Sequence, residues 1–270
     1  MPVNETDAVL PRYRPMSSIK DLIWKSKKST GPSVPDGHRV YAIGDVHGCD
    51  DLLREVLDQI DADNGERARA RTHIVFLGDL IDRGPASRQV IERLAGYAPV
   101  GMTPVFLAGN HEEVLLRLLA GEHRFVDSWL SFGGAQCLRS YGVDPAPLSH
   151  MPSLRAAAII AERIPAAHAD FLRSFADTFR IGDYLFVHAG IRPGVALDDQ
   201  VQSDLRWIRK PFLETSHDHG FMVVHGHTIK QGIDLRHNRI GIDTGAYRSG
   251  VLTAIGAEGT QQWFLQTGLI

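Results

Sequence analysis

Short apolar runs alternate with amphipathic stretches along most of the chain. Residues 39–43 read as a buried strand, and Leu52, Leu53, Val56, Leu57 and Ile60 recur at helical spacing across 50–60. Two similar units follow: a strand at 72–77 with a helix at 86–97, and a strand at 103–107 with a helix running to Leu119. Strand, loop and helix three times over predict an α/β layered fold. Residues 125–178 break the rhythm as a helical insertion. It holds an amphipathic stretch at 128–141 interrupted by Gly133-Gly134, a proline-rich turn at 144–152, and helices at 153–164 and 166–177. Strand patterns then return at 184–187, 221–224 and 239–242, and 250–255 with 261–265 reads as a closing antiparallel hairpin. Residues 1–37 are polar and punctuated by Pro2, Pro11, Pro15, Pro32 and Pro35. They form an extension to the domain at 38–270, with a short basic helix expected at 16–28 and a linker at 29–33.

The polar residues that interrupt this pattern sit at strand ends. The loops are Gly44-Asp45-Val46-His47-Gly48, Gly78-Asp79-Leu80-Ile81-Asp82-Arg83-Gly84, Gly109-Asn110-His111-Glu112, His188-Ala189-Gly190, His225-Gly226-His227-Thr228 and Asp243-Thr244-Gly245. Open α/β sheets collect ligands at the carboxyl ends of their strands. Asp45, His47, Asp79, Asn110, His188 and His227 combine oxygen and nitrogen donors, which suits Mn, Fe or Zn better than Ca or Mg. Any one of them could be ordinary: Asn110 could simply cap the helix after it. Six together are hard to ascribe to capping. They are too many for one catalytic ion with an open position, and about right for two ions sharing a carboxylate, with Asp79 as the natural bridge. His111 beside Asn110 is placed to protonate a leaving group, with Asp82 orienting it, and Arg83 offers a planar cation for phosphate.

Composition narrows the partners. Net charge is −3, with 43% hydrophobic and 23% charged residues, as in ordinary globular proteins. There is no basic stripe for DNA and no apolar run of the ~20 residues that a membrane span needs. Residues 1–10 lack the apolar core of a signal peptide. Cys49 and Cys137 suggest two buried thiols rather than a disulfide framework. The expectation is a cytoplasmic protein.

The first three loops resemble, in order and spacing, the signature motifs of the phosphoprotein phosphatase family, the dinuclear-metal serine/threonine phosphatases among the calcineurin-like metallophosphoesterases. His188-Ala189-Gly190 and Gly226-His227-Thr228 match its later motifs, and the set is most similar to small bacterial and bacteriophage lambda-type members. The resemblance covers roughly residue 40 to the C-terminus. It implies a four-layer αββα sandwich and two divalent ions, with Mn2+ foremost. One ion would be held by Asp45, His47 and Asp79, the other by Asp79, Asn110, His188 and His227. His227 is preferred to His225 because the family's ligand follows glycine. Ile229 stands where related nucleases carry a further histidine, which favours the phosphatase branch. Arg209 resembles the family's Trp-x-Arg segment near phosphate, and the Asp82–His111 pair recurs in the family. The implied mechanism is direct in-line attack by hydroxide supplied at the dimetal centre. Arg192 and Tyr247 are left open between groove lining and ordinary surface positions.

The first functional expectation is a protein serine/threonine phosphatase, acting on a phosphorylated protein or small phosphoester. The alternative is a hydrolase of dinucleoside polyphosphates or nucleotide caps, with the insertion building a nucleotide pocket. A non-catalytic phosphate-binding scaffold is disfavoured, because a pure binder has no use for an acid aimed at a leaving group.

Overall fold

The computed structural model describes residues 31–268. In chain order its first elements are β1 (His38–Ile43), α1 (Asp50–Glu66), β2 (Arg71–Phe76), α2 (Ser87–Ala95), β3 (Met102–Phe106) and α3 (Asn110–Leu119). The insertion adds α4 (Val126–Trp129), α5 (Ala135–Ser140), α6 (Ser153–Arg163) and α7 (Ala166–Arg173). After it come β4 (Thr178–Ile181), β5 (Tyr184–Val187), α8 (Gln202–Trp207), β6 (Met222–His225), β7 (Asp234–Leu235), β8 (Arg239–Gly241), α9 (Ala246–Ser249), β9 (Thr253–Glu258) and β10 (Gln261–Gln266). The helix expected at 16–28 lies outside the described residues.

Two mixed sheets of five strands result, ordered β10-β9-β1-β2-β3 and β4-β5-β6-β8-β7. β1, β2 and β3 run parallel, and the β9–β10 hairpin closes antiparallel on the free edge of β1. Alternation along the strands assigns each face. Val40, Ala42, Val75 and Leu77 meet Tyr184, Phe186, Val224 and Ile242 between the sheets. Tyr41, Ile43, Ile74 and Phe76 point the other way, into α1, α2, α3 and the insertion. Leu185, Val187 and Val223 pack on Leu205, Ile208 and Phe212 outside the second sheet. With both faces of both sheets covered, this is the expected α/β sandwich of four layers, the last of them thin.

Some boundaries differ for reasons that apolar periodicity does not carry. α1 runs to Glu66 rather than Ile60. Its last turns are held by polar bonds: Trp263 and Arg67 donate to the Asp63 carboxylate at 3.0 and 2.8 Å, and Arg39 donates to Asn64 Oδ1 at 2.7 Å. Residues 33 and 34, read as extension, lie against the domain. Val34 is buried and donates to the Gly259 carbonyl at 2.8 Å, and Ser33 donates to Asp183 at 2.9 Å.

Candidate active site

The strand-end loops converge at the carboxyl ends of β1, β2, β3, β5, β6 and β8. Among the described residues, five non-glycine positions have left-handed backbone, and all five belong to these loops: His47, Asp79, Asp82, Arg83 and His227. Such conformations cost on the order of 1–3 kcal/mol each and persist where the surroundings over-determine them. The surroundings are visible here. The buried Glu112 carboxylate accepts N–H bonds from Asp79, Leu80 and Gly109 at 2.9, 2.7 and 3.0 Å, tying the second loop to the third. Burial, then the Asp79 charge, lifts Glu112 to about 7. Glycine is required where loops touch: a Cβ on Gly109 would strike the Asp79 carboxylate, and one on Gly226 would strike that of Asp45.

Two groups of donor atoms share Asp79. His47, Asp79 and His111 form one, Asp79, His188 and His227 the other, with the donor atoms in each within 4.8 Å of one another. His47 and His188 direct Nδ1 at the carbonyls of Ile81 and Leu77, at 2.8 and 2.9 Å. A carbonyl only accepts, so each Nδ1 carries the proton. Burial holds both rings neutral, His47 at about 3 and His188 below its ordinary value. Each Nε2 therefore presents a lone pair. That of His188 lies 3.0 Å from Asn110 Oδ1 and 3.4 Å from Asp79 Oδ1, an array of acceptors without a donor. The buried Nε2 of His227 has no hydrogen-bond partner among the described residues. Burial alone would push the Asp79 carboxyl up; His188, then His111, His47 and His227, pull it below the usual carboxylate range. That effect needs positive charge in the cluster, which His111 carries and a bound cation would supply. Converging lone pairs around a shared carboxylate fit divalent cations, and the His and Asp residues are positioned for a dinuclear metal site.

Asp45 belongs to neither group. Both its oxygens accept the His227 backbone N–H, at 3.2 and 3.0 Å. Burial, then the charges of Asp243 and Asp79, raise its carboxyl well above the usual range. Asp243 was not among the expected site residues. It is buried, its Oδ2 has no partner among the described residues, and burial lifts it to about 6. The signal was present, since Asp243-Thr244-Gly245 ends a strand as the other loops do. Three buried carboxyls side by side repel one another, and a cation would relieve that repulsion.

His111 and Asp82 meet as expected: His111 Nδ1 is 2.7 Å from Asp82 Oδ2. Burial works against the imidazolium, but the Asp79 charge and the Asp82 hydrogen bond outweigh it and lift His111 to about 9. Arg83 lies over the pair. Its Nη1 donates to Tyr247 Oη at 3.0 Å and its Nη2 reaches His111 Nε2 at 3.1 Å. Arginine cannot accept, so this bond needs a lone pair on Nε2. The Arg83 contact thus opposes the imidazolium that Asp79 and Asp82 favour, and that opposition is relieved when Arg83 turns to another acceptor, such as phosphate. The insertion joins the site at two points that sequence spacing did not reveal. Trp129 Nε1 donates to Asp82 Oδ2 at 3.0 Å, and the Gly133 carbonyl accepts the Arg83 N–H at 3.1 Å. Gly133 has φ of 121° and no room for a Cβ beside Arg83, which explains the glycine break in the helical pattern.

A cavity of about 330 Å3 opens beside His111, Asn110 and His227, walled by Phe125, Trp129, Phe132 and Trp207 and by Arg83 and Arg209. Arg209 thus lies at the site as expected, and its charge helps Asp79-facing His227 stay neutral after burial and His188. His225 does not join the donors. It is buried in β6 with its ring 5.1 Å from that of Phe212, and burial lowers it to about 4. Arg192 forms two bonds to Asp204 at 2.6 and 2.7 Å.

Comparison with known proteins agrees with this geometry. The sequence profile of the calcineurin-like phosphoesterase family matches residues 38–248. The chain is 27% identical over 237 residues to the asymmetrical bis(5'-nucleosyl)-tetraphosphatase PrpE of Halalkalibacterium halodurans, covering 79% of this chain and 87% of that protein. It is 38% identical over 85 residues to the symmetrical bis(5'-nucleosyl)-tetraphosphatase of Methylococcus capsulatus, covering 32% of this chain and 28% of that protein's length. A crystal structure described as a candidate diadenosine tetraphosphatase shares the fold at a TM-score of 0.60, with 22% identity and coverage of 87% of this chain and 98% of that one. A serine/threonine phosphatase from Saccharomyces cerevisiae shares it at 0.51, with 14% identity and coverage of 87% and 81%. With the matched span containing the donor loops, the chain belongs to the calcineurin-like phosphoesterase family.

Proposed function

We propose that this phosphoesterase hydrolyses dinucleoside polyphosphates of the bis(5'-nucleosyl) tetraphosphate class. The carrying observation is the aromatic cavity that adjoins the donor cluster: Phe125, Trp129, Phe132 and Trp207 offer π-faces for a base, while Arg83 and Arg209 stand where phosphates would lie. The names of the relatives support the same reading. Two divalent ions, Mn2+ in our reading, would be held by Asp45, His47 and Asp79 and by Asp79, Asn110, His188 and His227, and would supply Lewis acidity toward water and phosphoryl oxygens.

The chain's own residues do the rest. Arg83 and Arg209 clamp and orient the phosphoryl group. Once Arg83 has turned to phosphate, His111 Nε2 holds the proton that the departing oxygen takes. Asp82 keeps the His111 ring aligned through Nδ1, and Trp129 fixes Asp82 in turn. The aromatic walls hold the leaving arm and exclude water.

A protein serine/threonine phosphatase is the second reading, favoured by the order and spacing of the strand-end motifs. Hydrolysis of diadenosine tetraphosphate and a phosphoserine peptide by Mn2+-loaded protein, with chelator controls, separates the two. The proposal expects preference for the dinucleotide, lost with chelator. Preference for the peptide would make the cavity a peptide groove and overturn it.

A further inference from the structure

A second cavity, about 730 Å3, lies beyond the first, and Trp207 and Arg209 line both. Its walls come from Arg192, from α8 and the segment after it, and from residues 230–239, which are separated in sequence. Six cationic side chains face three acidic ones there, a net charge of +3 on a chain whose total is −3. Three cations are tied to the acids: Arg192 to Asp204, Lys210 to Glu214, and Arg239 to Asp234, at 2.6, 2.6 and 2.7 Å. Arg236 shares Asp234 and stays exposed. Lys230 and Arg209 form no ion pair among the described residues. The Lys230 backbone donates to the Asp243 carbonyl at 3.0 Å, which anchors it three residues after His227, at the edge of the donor cluster.

The two cavities differ in chemistry as well as size. The smaller is aromatic and contains His111; the larger is cationic and open. A phosphomonoester has one organic arm and needs one exit from the site. A dinucleoside polyphosphate has two. The arm that leaves must lie beside the proton donor, while the other stays bonded to the attacked phosphorus.

Building on the proposed function, we infer that the cationic cavity is the subsite for the longer, more highly charged arm of the substrate, so that cleavage is asymmetrical. The aromatic cavity then holds a nucleoside with one phosphate, and the cationic cavity holds a triphosphate. Water oxygen bonds to the terminal phosphorus of the triphosphate arm. The bridging P–O bond breaks, and its electron pair departs with the oxygen of the nucleoside monophosphate, which takes the His111 proton. The attacking water loses its proton to solvent. From diadenosine tetraphosphate the products are ATP and AMP.

The test uses the Mn2+-loaded protein and its Lys230→Glu/Arg236→Glu double variant, both positions being exposed. Products of diadenosine tetraphosphate are separated, and kcat/KM is referred to that for 4-nitrophenyl phosphate, which needs only one exit. ATP and AMP as products, with that ratio falling about tenfold or more in the variant through KM, support the inference, since charged hydrogen bonds to phosphate are being reversed. Two molecules of ADP, or an unchanged ratio, overturn it. Inhibition of 4-nitrophenyl phosphate turnover by inorganic tripolyphosphate separates this failure from failure of the proposed function. If the protein does not cleave the dinucleotide, the function fails. Inhibition weakened at least severalfold in the variant would still support a polyphosphate subsite, and equal inhibition of both proteins would overturn it.

Discussion

The strand-end loops and the helical insertion meet at one pair of side chains and contribute different things. The loops supply His47, Asp79 and His227 on strained backbone, with His111 and His188 beside them, held by buried bonds such as those to Glu112. The insertion supplies Trp129, which holds Asp82, and Gly133, which seats Arg83. It also supplies Phe125 and Phe132 to the cavity wall. The loops carry donor atoms that many phosphoesters could use. In the proposed reading, the insertion decides which phosphoester fits and completes the alignment of the acid. Chemistry and selection are thus separable in space except at Asp82.

That division can be broken at its strongest point first. Asp79→Asn should remove the shared carboxylate, with metal content falling and kcat lost by on the order of 10³-fold or more. Metal analysis and steady-state kinetics check it, and a variant that kept two metals and full rate would refute the bridging role. His111→Asn should keep both metals and lose about 10²–10⁴-fold in kcat. The loss should be smaller for 4-nitrophenyl phosphate, whose leaving group needs little protonation, than for an alkyl phosphate.

Trp129→Phe keeps the aromatic wall and deletes the bond to Asp82. A lost hydrogen bond to a charged group predicts roughly a tenfold fall in kcat with little change in KM. An unchanged kcat would confine the insertion to binding. His225→Phe should be milder still and leave metal content intact. Because folding holds His225 down at about 4, its contribution to stability is present above the unfolded value near 6.5 and is lost as pH falls through about 4. The melting temperature of the variant should therefore drop less than that of the wild type between pH 7 and pH 5. Loss of a metal in this variant would instead make His225 a ligand.

Most of the strands and all the donor loops were legible in the sequence, because each apolar run ends abruptly in glycine and a donor residue. The whole site was not. Asp45 lies near Asp79 as expected, but its carboxylate also accepts the His227 amide and faces Asp243, a neighbour that the spacing did not single out. The Trp129–Asp82 bond spans 47 positions. No periodicity reports such a contact. Gly133-Gly134 was visible as a break in a helix, but its reason, the close approach of Arg83, exists only once the insertion is docked. The cationic cavity is assembled from three separate stretches, Arg192, residues 203–214 and residues 230–239, each of which reads as ordinary surface.

The most direct test of the claim that the insertion selects the substrate is kcat/KM of Phe132→Ala for diadenosine tetraphosphate and for 4-nitrophenyl phosphate. Phe132 is 67% exposed at the cavity wall, so the fold does not depend on it. Base stacking worth about 1–3 kcal/mol predicts a loss of roughly 5- to 150-fold for the dinucleotide, through KM, against little change for the small ester. Equal effects on both substrates, or none on the dinucleotide, would contradict the account.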